Sequence, residues 1–186
     1  MDIRPVQPAD LNALIEIDGT VESSHYLHVD RSGEGLTIQW KVEERPLRTK
    51  WVDRNRPSDE LQFLLKQIAS GVEEGIAVLA EHDGAMIGLM LAQPMPHYGT
   101  MRLIDIRIDY DFRRQGLASG MLYQLITEAR NLELRAVTAE VAANNEPACR
   151  LLLKLGFDLA GLDTQRHSNH DLVKEAATLL WYASLA

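Results

Sequence analysis

The chain predicts a single α/β (α+β) domain, and three observations carry that prediction. The run Leu103–Asp109 alternates strictly, with Ile104, Ile106 and Ile108 on one face and Asp105, Arg107 and Asp109 on the other, the period of a half-buried strand. After it, Gly116–Asn131 sets Leu117, Met121, Leu122, Leu125, Ile126 and Ala129 on one helical stripe. A length of 186 residues with 46% hydrophobic content suffices for one substantial core but not for two ordinary domains, so residues 1–186 read as one domain.

The elements follow in order. Ile3-Arg4-Pro5 reads as a short edge strand, and Pro8-Ala9-Asp10 opens a helix carrying Leu11, Leu14, Ile15 and Asp18. Residues 20–57, broken by Gly33, Gly35, Pro46 and Pro57 and holding Trp40 and Trp51, receive no assignment. Ser58 caps a helix with Leu61, Leu64, Leu65 and Ile68 inward, ending near Gly71. Ile76–Ala80 and Met86–Ala92 flank Asp83-Gly84, a pair suited to a tight hairpin turn. Strand Arg135–Ala142 follows the Gly116 helix, and Asn145 then caps a helix with Pro147 in its first turn and Gly156 past its end. Phe157–Leu162 and Thr178–Ser184 supply two closing strands. The order is strand, helix, helix, three strands, helix, strand, helix, two strands.

Composition narrows the function classes. A net charge of −8 with no basic stripe argues against nucleic acid, and an acidic surface mildly favours a cationic partner while also serving plain solubility. No apolar stretch approaches the roughly 20 residues of a membrane span. The lone Cys149 forms no internal disulfide, and the first thirty residues lack the features of a signal peptide. A cytoplasmic location is expected.

The chemistry points to residues 113–118, Arg-Arg-Gln-Gly-Leu-Ala, between the alternating strand and the Gly116 helix. A strand that turns into a helix there exposes unpaired N–H groups at the positive end of the helix dipole, a natural seat for phosphate. Gly116 lets the backbone approach a ligand, and Ala118 is small for the same reason. The competing reading is a glycine that merely starts a helix.

With a strand before this turn, a helix after it, and Asn145, Ala148, Gly156 and Phe157 downstream, the chain resembles the GNAT superfamily of N-acetyltransferases. The likeness covers residues 76–162 well and Ile3–Asp18 more weakly. It implies a mixed, mostly antiparallel twisted sheet of about six to seven strands flanked by helices. It also implies acetyl-CoA as cosubstrate, with its pyrophosphate on the amides of Arg113, Arg114, Gln115, Gly116, Leu117 and Ala118. By the same resemblance the pantetheine arm pairs with Ile106 and Ile108, and Asn145 contacts the cofactor. The segments Ala148–Arg150, Leu155–Phe157, Gly161–Thr164 and Leu180–Tyr182 are similar to the streptothricin acetyltransferase subgroup, which favours a small-molecule amine acceptor. Acetylation of protein N-termini or lysines, and a catalytically silent acyl-CoA-binding module, are the alternatives.

Direct attack of a bound amine on the thioester needs a proton acceptor, an oxyanion donor and a route for the thiolate's proton. The Ile108 N–H is the expected oxyanion donor, and Asp105 and Glu140 are the candidate bases, although acids on strands usually form a polar face. Many family members place a tyrosine seven residues after the asparagine; this chain has Leu152. The thiol then leaves as thiolate, takes a proton from water or uses another residue, with Tyr98, Tyr110 and Tyr182 as candidate donors, although a tyrosine more often simply packs.

No metal site is expected: His167 and His170 beside Asp163 and Asp171, like His25 and His28, read as polar loops. Cys149 reads as a small buried residue. The irregular segment with Trp40, Trp51 and Arg45–Arg56 is either an acceptor lid or a surface insertion. A homodimer through Thr178–Tyr182 is implied by the resemblance, with plain closure of the sheet as the other reading.

Overall fold

The structure, a computed structural model, describes residues 2–185. Its elements are β1 (Asp2–Pro5), a 3-10 turn (Pro8–Asp10), α1 (Leu11–Leu14), β2 (Val21–Glu34), β3 (Thr37–Asp53), α2 (Asp59–Ala69), β4 (Ile76–His82), β5 (Ala85–Met95) and β6 (Thr100–Ile108). A second 3-10 turn (Tyr110–Phe112) leads to α3 (Leu117–Asn131), β7 (Ala136–Ala142), α4 (Glu146–Lys154), β8 (Asp158–Asp163) and β9 (Thr178–Ser184). Seven strands hydrogen-bond in the order β1-β4-β5-β6-β7-β9-β8, and β2 pairs with β3. The β1–β4, β4–β5, β5–β6 and β8–β9 pairs are antiparallel, and β6–β7 is parallel. The expected mixed, mostly antiparallel sheet with flanking helices is present.

The chain divides into two compact units. The first holds residues 2–20, 54–139 and 183–185. On one face of its strands, Leu14 and Leu65 bury against Leu79, Leu89 and Leu91. On the other, α3 packs against β5 and β6 and buries Met121, Leu122 and Leu125 completely. Each such side chain contributes about 1.5–3 kcal/mol of transfer free energy. Ser58 caps α2 by accepting the Leu61 N–H at 3.1 Å, as its sequence position predicts.

The second unit holds residues 21–53 and 140–182. Here the structure corrects the reading of residues 20–57 as unassigned: they form a long hairpin, β2–β3, turning at Gly35-Leu36. Pro46 sits opposite His25, next to a bulge between Ser23 and His25; a two-stranded ribbon tolerates proline because each strand has an unpaired edge. His25 and His28 therefore lie in a strand, not a loop. β2 packs against α4, and the Leu27 N–H donates to the Ala143 carbonyl at 2.8 Å. β9 has strand neighbours on both sides in the sheet order, so Thr178–Tyr182 closes the sheet.

The first helix is also shorter than expected. It ends at Leu14, and residues 15–20 form a turn and an irregular stretch.

Candidate functional site

Strand β6 has one paired and one unpaired edge where the cofactor arm is expected. Its ladder with β5 runs to Ile108, whereas its ladder with β7 covers Thr100–Leu103 and stops there. The Asp109 N–H donates to the Ile87 carbonyl at 2.8 Å. Backbone groups alternate direction along a strand, so Arg107 and Asp109 address β5 while Ile106 and Ile108 turn their N–H and C=O groups to the unpaired edge. On that edge Arg113 Nε donates to the Ile108 carbonyl at 3.1 Å. A register skip opposite Leu91–Ala92 makes Ile104 the extra residue of a bulge, a device that re-aims the strand beyond it.

Beyond β6, Asp109 Oδ1 accepts the Asp111 N–H at 3.2 Å and holds the 3-10 turn at Tyr110–Phe112. The chain then runs through Arg113, through Arg114 at φ 62° and through Gly116 at φ 83° into α3. Left-handed backbone at Gly116 is strained for any residue with a Cβ. A Cβ built there meets nothing within 4 Å, so its surroundings are open. No side chain caps α3, and the first amide to bond back is that of Gly120, to the Gly116 carbonyl at 3.0 Å. The amides of Leu117, Ala118 and Ser119 thus form an uncapped, positively polarised helix start. Arg113 lies 5.3 Å from the Tyr110 ring, and Arg114 and Gln115 are exposed beside them.

The opposite character of β6 lies on its polar face. Asp105 and Arg107 stand opposite Leu91 and Leu89, so their face is the one that α1 and α2 cover. The Arg107 side chain is 2% exposed. Its Nε and Nη2 donate to Asp105 Oδ2 and Oδ1 at 2.7 and 2.8 Å, and its Nη1 donates to the Asn55 carbonyl at 3.0 Å. Asp105, a candidate base, has both oxygens engaged in that fork.

Nearby, a cleft of about 420 Å³ is lined by Glu16, Asp18, Thr20, Arg54, Arg56 and Gln62 among others. The Asp18 carboxyl is held below the usual carboxylate range chiefly by Thr20, whose N–H donates to Oδ1 at 3.0 Å, with Arg54 and Arg113 adding to the effect. Sequence reasoning misses this cleft because its walls come from irregular segments with no periodic signal.

In the second unit, Glu140 accepts Arg166 Nη2 at 2.6 Å, so the other candidate base is also in an ion pair. Asn145 Oδ1 accepts the Ala148 N–H at 3.3 Å and caps α4. Leu152 is buried in that helix, as is Cys149, whose thiol burial pushes up to about 12. His28 pairs with Glu175 at 3.0 Å. Asp171 accepts the Ser168 hydroxyl at 2.6 Å and the His167 N–H at 2.8 Å, closing its own loop. Of the tyrosines, Tyr98 and Tyr110 are exposed on the first unit, and Tyr182 is half-buried on the second.

Comparisons with known proteins agree with this geometry. The model of the acetyltransferase (GNAT) family matches residues 37–157, more than half of the chain. Streptothricin acetyltransferase of Streptomyces lavendulae is 22% identical over 165 residues, covering 88% of this chain and 84% of that protein. Escherichia coli streptothricin acetyltransferase is 29% identical over 77 residues, and the match spans 41% of this chain and only 44% of that protein. The [ribosomal protein bS18]-alanine N-acetyltransferase of Escherichia coli K12 is 27% identical over 129 residues, covering 67% of this chain and 76% of its own. Among solved structures, nourseothricin acetyltransferase superposes with a TM-score of 0.80 at 20% identity, covering 100% of this chain and 98% of that one. A Bacillus anthracis structure named for streptothricin acetyltransferase and bound to acetyl coenzyme A reaches 0.75 at 20% identity, covering 98% of both chains. With an uncapped glycine-led helix start beside a strand that has lost its partner, and a family match spanning both, the chain belongs to the acetyltransferase (GNAT) family.

Proposed function

We propose that the protein transfers acetyl from acetyl-CoA to a primary amine of a small molecule, by direct attack within a ternary complex. The observation that carries this reading is the pairing of two unfilled backbone features in one unit. They are the uncapped start of α3 at Gly116 and the unpaired edge of β6 at Ile106 and Ile108. Residues Arg113–Ala118 would hold the pyrophosphate through amides and nearby cations, and Ile106 and Ile108 would pair with the amide-bearing arm. Acetyl-CoA supplies the acetyl group as a thioester. The Ile108 N–H is the oxyanion donor of this reading.

Glu140 remains the proposed proton acceptor, and Asp105 becomes the ion-pair partner of Arg107. With Leu152 where many relatives carry tyrosine, the thiolate takes its proton from water. Asn145 is proposed as a cap first, since its carbonyl oxygen already serves Ala148. The single acetyltransferase domain and the cytoplasmic location are part of the same reading; no helix among the described residues is long and apolar enough to cross a membrane.

The small-molecule acceptor is favoured because the Streptomyces relative aligns over most of the chain. The relative named for bS18 alanine keeps protein N-termini as the second reading. Calorimetric titration with acetyl-CoA, followed by thiol release with streptothricin and with a peptide bearing an N-terminal alanine, separates them. Heat of binding and release that requires streptothricin are expected. Release with the peptide alone moves the protein to the second reading, and absence of acetyl-CoA binding ends both. The same assay run against pH on Glu140→Gln should lose about a hundredfold in rate on the plateau and converge with wild type as the pH falls if Glu140 takes the proton.

A further inference from the structure

We propose that the cleft lined by Glu16, Asp18, Arg54 and Arg56 takes the acceptor amine, and that Arg107 is a positioning residue that fixes this cleft relative to the cofactor strand, so that one buried guanidinium ties together the two halves of the transfer reaction. The inference rests on the acetyltransferase reading above. It begins from an anomaly: an arginine on an alternating strand is almost never fully buried unless it is paired. Arg107 is 2% exposed, and its pairing explains its burial.

The pairing is divided by direction. Nε and Nη2 close a planar fork on Asp105, two residues away on the same strand, at 2.7 and 2.8 Å. That half orients the guanidinium and neutralises it. The remaining nitrogen, Nη1, reaches out of the strand to the carbonyl of Asn55 at 3.0 Å. Asn55 has φ 48°, a left-handed turn that costs free energy unless its surroundings hold it.

Gly19 completes the contact. A methyl group built on it would stand 3.4 Å from both the Asn55 carbonyl oxygen and Nδ2, and 3.5 Å from Arg107 Nη1. Gly19 and the residues flanking Asn55, namely Arg54 and Arg56, all line the cleft of about 420 Å³. A second tie runs parallel, from the Asp18 N–H to Asp109 Oδ2 at 3.3 Å.

Arg107 and Asp109 thus hold the cleft wall from one face of β6, while their neighbours Ile106 and Ile108 present the backbone groups of its edge. A wall and an edge anchored to alternate residues of one strand cannot drift apart independently. Positioning of this kind matters because a displacement of about 1 Å between reactants costs on the order of a hundredfold in rate.

Two variants reach the contact from opposite sides. Arg107→Lys keeps a buried cation but loses the planar fork and the simultaneous reach to Asn55. Gly19→Val leaves Arg107 and Asp105 intact and forces branched carbons into the 3.4 Å gap. Hydrogen exchange on the whole protein is expected to accelerate at least tenfold at residues 15–20 and 54–57 in both variants, with residues 106–118 unchanged. The acetyl-CoA dissociation constant should stay within about threefold of wild type, while the KM for streptothricin rises about tenfold or more and the KM for acetyl-CoA does not.

Unchanged exchange at residues 54–57 in the variants that fold would overturn the proposal, as would loosening that extends equally to residues 106–118. Equal changes in both KM values would do the same. If Arg107→Lys does not fold, Gly19→Val decides. Wild-type protein that binds no acetyl-CoA signals failure of the acetyltransferase reading instead. Wild type that binds acetyl-CoA but ignores streptothricin leaves the exchange pattern to decide the role of Arg107.

Discussion

Helices α3 and α4 both begin at loops that follow strands, and their starts are built in opposite ways. The α4 start is self-sufficient: Asn145 accepts the Ala148 N–H, Pro147 removes one donor, and Glu146 places an acid in the first turn. The α3 start has none of these. It opens with a left-handed glycine, no side-chain cap and no acid in its first turn. A helix start normally has its free amides satisfied from within the chain. The α3 start is left uncapped next to a strand edge that has also lost its partner, which is what the proposed cofactor site needs. In the proposed function the α3 start serves the ligand and the α4 start the fold, although both carry family sequence signals.

The most direct way to break the contrast is to give α3 what α4 has. Gly116→Asp places a carboxylate at the cap position, where aspartate tolerates left-handed backbone better than most residues. Its oxygens would take the free amides and its charge would oppose a phosphate. We expect the acetyl-CoA dissociation constant to rise about a hundredfold, equivalent to about 2.7 kcal/mol, with folding retained by circular dichroism. Binding within threefold of wild type in calorimetry would show that the α3 amides do not hold the ligand.

The same contrast explains what was legible in the sequence. The α3 turn could be read because its parts are contiguous: an alternating strand, a short loop with glycine, then a helical stripe. The hairpin β2–β3 could not. Its apolar alternation is short, Leu27 and Val29 on one strand and Ile38, Trp40 and Val42 on the other; Ser23, Ser24 and His25 interrupt the first, Glu43, Glu44 and Arg45 the second, and Pro46 reads as a breaker.

Arg107 was hidden for a different reason. Alternation alone assigns a charged residue to the solvent side, and only the register opposite Leu89 and Leu91 reveals that this side is covered. Charges buried by tertiary packing leave no periodic trace. Neither does a cleft walled by residues 15–20 and 54–57, which come together from separate irregular segments of the first unit.

A middle-sized effect is expected at the other start. Asn145→Ala removes the α4 cap, worth about 1 kcal/mol, and for a chain of this length the melting temperature should fall by about 2–4 °C in calorimetry. The acetyl-CoA dissociation constant should move less than threefold. A tenfold weakening of binding at unchanged melting temperature would reverse the contrast, making Asn145 the cofactor contact that the family resemblance implies and its cap incidental.

The smallest effect sharpens the comparison with a third start, where the chain enters the first 3-10 turn and α1. Here Asp10 reaches back to accept the Gln7 N–H at 2.8 Å while the Arg4 guanidinium grips it at 2.7 and 3.0 Å. Arg4, and to a lesser degree the Gln7 N–H, hold the Asp10 carboxyl below the usual carboxylate range. A group whose folded pKa is depressed stabilises the protein above its unfolded pKa, about 3.9 for aspartate, and that stabilisation is lost as pH falls through the folded value. This start is therefore acid-sensitive, whereas the neutral amide that caps α4 is not. Asp10→Asn should lower the melting temperature by about 2 °C near neutral pH. The gap to wild type should hold at that size down to about pH 5 and close as the pH falls toward about 2. The wild type must lose the extra stability on acidification, because the variant has none to lose. A gap that instead stays constant down to the lowest pH would mean that Asp10 acts through shape alone, as Asn145 does, and that its charge contributes nothing to this helix start.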